Sequence, residues 1–339
     1  MHKLFFSLIF SFVILFVLNI TWVFLNLYLW INFGISEVLV DENEMLFENI
    51  YYSSHVRWII LFDLTWIASL IIFLIRRKKF RTDINLHYLK NNPISAPKIT
   101  VAIPTYNEER AIEKTVTEYL NQQFVEQVLI IDNNSTDDTV ILAQKHGATV
   151  IQKDQNRGFG HSFLMGLEES IKTDSNIIVM TEADDTYDPN DIQKFLQYIA
   201  HCDLVTGSRQ AQVLNEKDNQ NGYIHTWGNY LLAKLIQFKF INLGLVGTDL
   251  NEVGCGYLAI RKTALKQVIE KLKTRDTEKS PWNVGIRLYL LLLFLETDLK
   301  IIEVPVSFKK RIGESKIGSL NFSKAIKIGF SFLWIILRY

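Results

Sequence analysis

The sequence predicts an α/β domain, a mostly parallel sheet with helices on both faces, preceded by two transmembrane helices. Three observations predict it. After residue 98, short β-rich runs alternate with helical stretches, the rhythm of parallel sheets. Several of those strands run straight into unusually polar turns. Ahead of them lie two long apolar runs, with acidic residues between and basic residues after.

The first apolar run, Leu4 to Phe33, contains no Asp, Glu, Lys or Arg. As a helix it would be roughly 45 Å long at about 1.5 Å per residue, enough to cross a bilayer with tilt. The second, Trp58 to Ile75, holds one charge, Asp63. Between them lie Glu37, Asp41, Glu42, Glu44 and Glu48; after them come Arg76, Arg77, Lys78, Lys79 and Arg81. The positive-inside rule places this basic cluster, and everything beyond it, in the cytoplasm. Residues 1–81 thus read as a multi-pass membrane anchor and residues 82–97, with Pro93 and Pro97, as a linker.

Strands are expected at Ile99–Ile103, Val128–Ile131, Ala148–Ile151, Ile177–Met180 and Leu204–Thr206, with helices at Glu108–Gln122, Asp137–His146, Gly160–Lys172 and Pro189–Ala200. A last apolar stretch, Ile328–Leu337, is too short to span a bilayer. With Lys324, Lys327 and Arg338 around it, it suits an amphipathic helix over residues 319–339, lying in the headgroup region or packed on the domain. Composition narrows the function. The 36 basic and 36 acidic residues cancel, so no nucleic-acid partner is expected. Cys202 and Cys255 can build neither a disulfide framework nor a zinc site.

Ligands on parallel sheets bind beyond the carboxyl ends of strands. The first strand delivers Pro104-Thr105-Tyr106-Asn107-Glu108-Glu109, where Asn107 can cap a helix and the rest suits the edge of a base and ribose. The second delivers Asp132-Asn133-Asn134, and Asp132 is left over to accept from a nucleobase N–H. Gly158 and Gly160 open a helix whose N–H groups could meet a diphosphate, or form a plain loop. The fourth delivers Glu182, Asp184, Asp185 and Asp188 within seven residues. Such crowding calls for a hard cation, Mg²⁺ or Mn²⁺, with Glu182 and Asp184 on the same side; the alternative is a solvated turn capped by Asp188.

Together, PTYNEE (104–109), IDNNSTDDT (131–139), NRGFG (156–160), EADDTYDP (182–189), GSR (207–209), TDLNEVGCGYLAIRK (248–262) and EVPVSFKKRIGESK (303–316) resemble the family 2 glycosyltransferases with their GT-A fold, and among them the polyprenyl- and dolichyl-phosphate sugar synthases. The resemblance covers roughly residues 98–318. It implies that Pro104, Tyr106, Glu108 and Asp132, with Asn134, Gly158 and Asp185, line the nucleotide-sugar site, and that Glu182 and Asp184 hold the metal. It also implies that Arg209, Arg311, Ser315 and Lys316 meet phosphates and that Asp249 shapes the acceptor side. Asp184, Arg209 and Arg311 would be the catalytic set. Glu182 departs from the family's DXD pattern, and the segment around Asn283 lacks the acids that relatives often carry there. The implied reaction is inverting transfer of a hexose from UDP- or GDP-sugar to a polyprenyl phosphate on the cytoplasmic membrane face. The alternatives are a glycolipid or saccharide hydroxyl acceptor, with an acid such as Asp249 as base, or a nucleotide-sugar-binding protein without turnover.

Overall fold

The computed structural model describes residues 91–240, 249–279, 281–313 and 322–339, together with single helical positions scattered through 17–31 and 61–71. The chain divides into two compact units, residues 1–79 with 337–339, and residues 80–336.

In the second unit the strands are β1 Ile99–Thr105, β2 Val125–Asp132, β3 Thr149–Gln152, β4 Ile177–Met180, β5 Leu204–Ser208, β6 Leu258–Arg261 and β7 Ile301–Pro305. The helices are α1 Ile112–Leu120, α2 Thr139–Lys145, α3 Phe159–Lys172, α4 Ile192–Ile199, α5 Tyr223–Lys239, α6 Lys262–Lys273, α7 Trp282–Glu296 and α8 Phe322–Arg338. Sheet order is β3-β2-β1-β4-β6-β5-β7. β1 runs parallel to β2 and β4, β2 to β3, and β5 to β7, while β6 is antiparallel to β4 and β5. The apolar runs of β1 and β4 follow from this position: strands covered on both faces have no side free for water.

The sheet contains every strand expected from sequence, and two that were not. The antiparallel β6 is four residues long and ends in Arg261, directly before α6. Helix starts also move. Asn107 does not cap α1, which begins at Ile112 behind Ala111. Its side chain instead accepts from Thr136 N (2.9 Å), and its own N–H donates to Ser135 Oγ (2.9 Å). Asp188 does cap the turn at Pro189, accepting from Asn190 N (3.0 Å).

The predicted membrane spans lie almost wholly outside the described residues, and among those residues no helix is long and apolar enough to cross a membrane. The few described positions there, including Val17, Phe24, Ile31, Leu61, Leu64 and Ile71, are helical with exposed apolar side chains.

Candidate active site

In the order β3-β2-β1-β4 the strand order reverses between the parallel β1 and β4, and a crevice opens there beyond the strand ends. A cavity of about 410 Å³ lies there. Pro104, Tyr106 and Glu108 reach it from β1, Gly158 from the turn before α3, Glu182 and Asp184 from β4, and Arg311 from the segment after β7. Other lining residues, Thr105, Asn133, Asn156, Phe159, Ser162 and Val284 among them, were given no role by sequence.

The turns that carry these groups are fastened to one another. Glu108 N donates to Thr139 Oγ1 (2.8 Å). Asn133 Nδ2 donates to Asn156 Oδ1 (2.7 Å), which also accepts from Gly158 N (3.0 Å). Gly158 has φ +83°, a conformation that favours glycine, and Asn283 Oδ1 accepts from Gly160 N (3.0 Å). The acid-rich turn is anchored from behind by Tyr187, which is buried among Tyr257, Phe308 and Cys255, with its hydroxyl accepting from Gly256 N (2.9 Å).

Asp184 is 2% exposed. Its Oδ2 meets Arg311 Nη1 at 2.6 Å, while Oδ1 accepts from Thr186 Oγ1 (2.6 Å) and N (3.2 Å). Burial, and then the Glu182 charge, push its carboxyl up to about 6. Arg311 opposes that shift, but its guanidinium is shared with Glu108. Glu182 pairs with Arg287 of α7, Oε1 to Nη1 at 2.9 Å. The two carboxylates therefore face one cavity, each already matched by an arginine.

These groups fit a hard divalent cation. Two carboxylates line one cavity, and burial, then the neighbouring Glu182 charge, holds Asp184 away from easy ionisation, a strain that a cation would relieve. Among the described residues no group of three or more His, Cys, Asp or Glu could hold a metal. Phosphate oxygens of a ligand would have to complete the shell.

Other expected site residues lie elsewhere. Asp132 is fully buried and folds back on its own turn, accepting from Ser135 Oγ (2.5 Å) and N (3.1 Å). It does not line the cavity; its neighbour Asn133 does. Asn134 sits in the same turn with φ 66°. Asp185, φ 62°, is paired with Lys114 of α1 (2.6 Å) rather than with the cavity. Asp249 is exposed and pairs with Lys234 (3.1 Å). Ser315 and Lys316 lie outside the described residues.

Arg209 lines a second cavity of about 150 Å³ that shares Glu182, Val284 and Arg311 with the first. Its Nε donates to Glu252 Oε1 (2.7 Å), with Nη2 on the same oxygen, and its ring-facing side lies over Phe308 at 4.9 Å. Glu252 is held in turn by the 251–252 turn, whose two N–H groups donate to Glu303 of β7 (2.7 and 3.0 Å). Arg287 completes the cationic wall, while Ala325, Ile328 and Phe332 of α8 give an apolar one. Sequence alone assigned Arg287 no role. The available signal was the one basic residue of a helix otherwise rich in Leu, Ile, Tyr and Phe.

Residues 100–269, half of the chain, match the family described as Glycosyl transferase family 2. The chain is 27% identical over 242 residues to a dolichyl-phosphate hexose transferase of Haloferax volcanii, covering 71% of this chain and 94% of that protein. It is 22% identical over 239 residues to an undecaprenyl-phosphate mannosyltransferase of Micrococcus luteus, covering 68% and 91%. In fold it resembles a solved structure titled as a mycobacterial protein, with TM-score 0.50 and 16% identity over 71% of this chain and 75% of that one.

Proposed function

This chain belongs to glycosyl transferase family 2, the nucleotide-sugar glycosyltransferases, and from that premise we propose that it moves a hexose from UDP- or GDP-sugar to a polyprenyl phosphate at a membrane surface. The observation that carries the reading is the pair of adjoining cavities. One is lined by carboxylates at strand ends, the other by three arginines and an apolar helix face, and Glu182, Val284 and Arg311 stand between them. The first suits a sugar nucleotide; the second suits an anionic head on an apolar chain. The relatives named for dolichyl and undecaprenyl phosphate support that acceptor class.

In this reading Pro104, Tyr106, Asn133 and Gly158 flank the nucleotide, and Glu182 and Asp184 would hold Mg²⁺ or Mn²⁺ together with the diphosphate. When bound, the cation would neutralise charge growing on the departing diphosphate. Arg311 holds Asp184 and Glu108 in place beside it. A phosphate acceptor is already ionised at neutral pH and attacks the anomeric carbon without a strong base. One displacement inverts that carbon. The absence of acids around Asn283 is then tolerable. A neutral hydroxyl acceptor would benefit from a base, but Asp249 is exposed, paired with Lys234, and lines neither cavity.

Membrane residence belongs to the same proposal. Residues 1–81 are the anchor, the charge asymmetry puts the sheet on the cytoplasmic side, and residues 98–318 form the transferase domain. Tethering confines enzyme and lipid to one surface and raises their effective concentration. The test uses the full chain in detergent with Mn²⁺, labelled nucleotide sugars and undecaprenyl or dolichyl phosphate. A lipid-linked sugar labile to mild acid is expected; absence of product from every donor overturns the reading, and an acid-stable product points to the hydroxyl acceptor.

A further inference from the structure

The geometry points to Arg287 as the residue that grips the anionic head of the acceptor in the second cavity, an assignment that rests on the acceptor reading above. A phosphate is held best by two parallel N–H groups from one arginine edge, and the Nε–Nη2 edge is one such fork. In Arg209 that edge is occupied by Glu252. In Arg311, Nη1 and Nη2 are on Asp184 and Glu108, and Nε is buried. In Arg287 only Nη1 is engaged, by Glu182. Its Nε and Nη2 have no hydrogen-bond partner among the described residues, and the side chain lines the second cavity.

The placement is built. Arg287 lies on α7 between Ile286 and Leu288, both fully buried, so this cation is carried into an apolar helix. A largely buried charge is costly unless it is paired and used. Its guanidinium lies over the Phe159 ring, 4.8 Å from the centroid. Glycine at 256 makes the room, because a Cβ there would collide with both Glu182 and Arg287. Glu182 anchors one corner of the guanidinium and leaves the fork open.

Steady-state kinetics with the full chain in detergent, undecaprenyl phosphate as acceptor and the best donor, provide the test. Arg287→Met should raise the acceptor KM about tenfold or more, the scale of a lost charged hydrogen-bond pair. The donor KM should change much less than the acceptor KM, and the Mn²⁺ affinity measured without acceptor should not fall, because Glu182 loses the cation that competes for it. Arg287→Lys, a point charge without the fork, should fall between the two and rescue part of the acceptor KM. Inorganic phosphate should compete with the acceptor more weakly in Arg287→Met than in the wild type, which separates recognition of the head from recognition of the chain. An unchanged acceptor KM with an active wild type overturns this assignment alone, as does an equal rise in donor KM. An inactive wild type, with no lipid-linked product, overturns the acceptor reading itself. Should Arg287→Met not fold, Arg287→Lys and the phosphate competition decide the matter.

Discussion

Buried beside Glu182, the Asp184 carboxyl is pushed up to about 6 even though Arg311 lies 2.6 Å away. The folded value lies above the ordinary carboxylate value, so the folded chain holds this proton more tightly than the unfolded chain does. The contribution of Asp184 to stability is therefore favourable at low pH and is lost as pH rises from about 4 to about 6. A cation competes with that same proton. Mn²⁺ affinity, measured by calorimetry on the unliganded protein, should rise up to about tenfold per pH unit below pH 6 and level off above pH 7; an affinity flat from pH 5 to pH 7 would remove Asp184 from the cation site. Asp184→Asn should cut transfer by at least about a hundredfold while far-UV circular dichroism stays unchanged, the magnitude seen when transition-state charge stabilisation is lost. Full activity in that variant would sink the metal assignment.

The strand ends were legible because each polar turn follows an apolar strand that must be covered on both faces, and so Pro104, Glu108, Glu182 and Asp184 could be read from the chain alone. Pairings between distant elements were not legible. Arg209 promised a free phosphate ligand, yet Glu252 takes its fork, and only β7 packing beside β5 brings Glu303 under the 251–252 turn. Arg287 hid in an apolar helix because its partner, Glu182, is 105 residues away. Asp132 looked like a spare acceptor until Ser135 folded over it. The Glu303–Glu252–Arg209 chain also makes a prediction at this scale. Glu252 is fully buried on its side chain, so Glu252→Ala leaves the Arg209 charge unpaired between β5, α5 and Phe308. Removing one partner of a buried ion pair costs about 3–5 kcal/mol. Urea unfolding of the full chain in detergent should show a loss on that scale, whereas a change under about 1 kcal/mol would mean the pair is solvated and the chain of contacts idle.

Helices α5 and α8 each offer the second cavity one face and solvent another. Inward, His225 and Asn229 of α5 and Ile328 and Phe332 of α8 line the cavity. Outward, Tyr223, Trp227 and Leu231 of α5 and Phe330 and Trp334 of α8 are exposed. Buried Lys239 near the end of α5 donates to the Ile336 carbonyl of α8, so the two helices are tied to each other. Aromatic and aliphatic side chains beside Lys324, Lys327 and Arg338 have the composition of a surface that rests at the headgroup boundary. In the proposed membrane-bound enzyme, an anchor alone would not decide which part of it meets the lipid. The exposed faces of α5 and α8 would decide that, by laying the mouth of the arginine cavity where a polyprenyl phosphate presents its head. Each such side chain transferred from water is worth about 1.5–3 kcal/mol. The combined variant Trp227→Ser, Leu231→Ser, Phe330→Ser should therefore raise the apparent KM for undecaprenyl phosphate in anionic vesicles by at least about tenfold. The same variant should keep its KM for a short-chain, water-soluble polyprenyl phosphate, because the cavity itself is untouched. Equal losses on both acceptors would show that the three side chains support the fold of α5 and α8 instead of the contact with lipid.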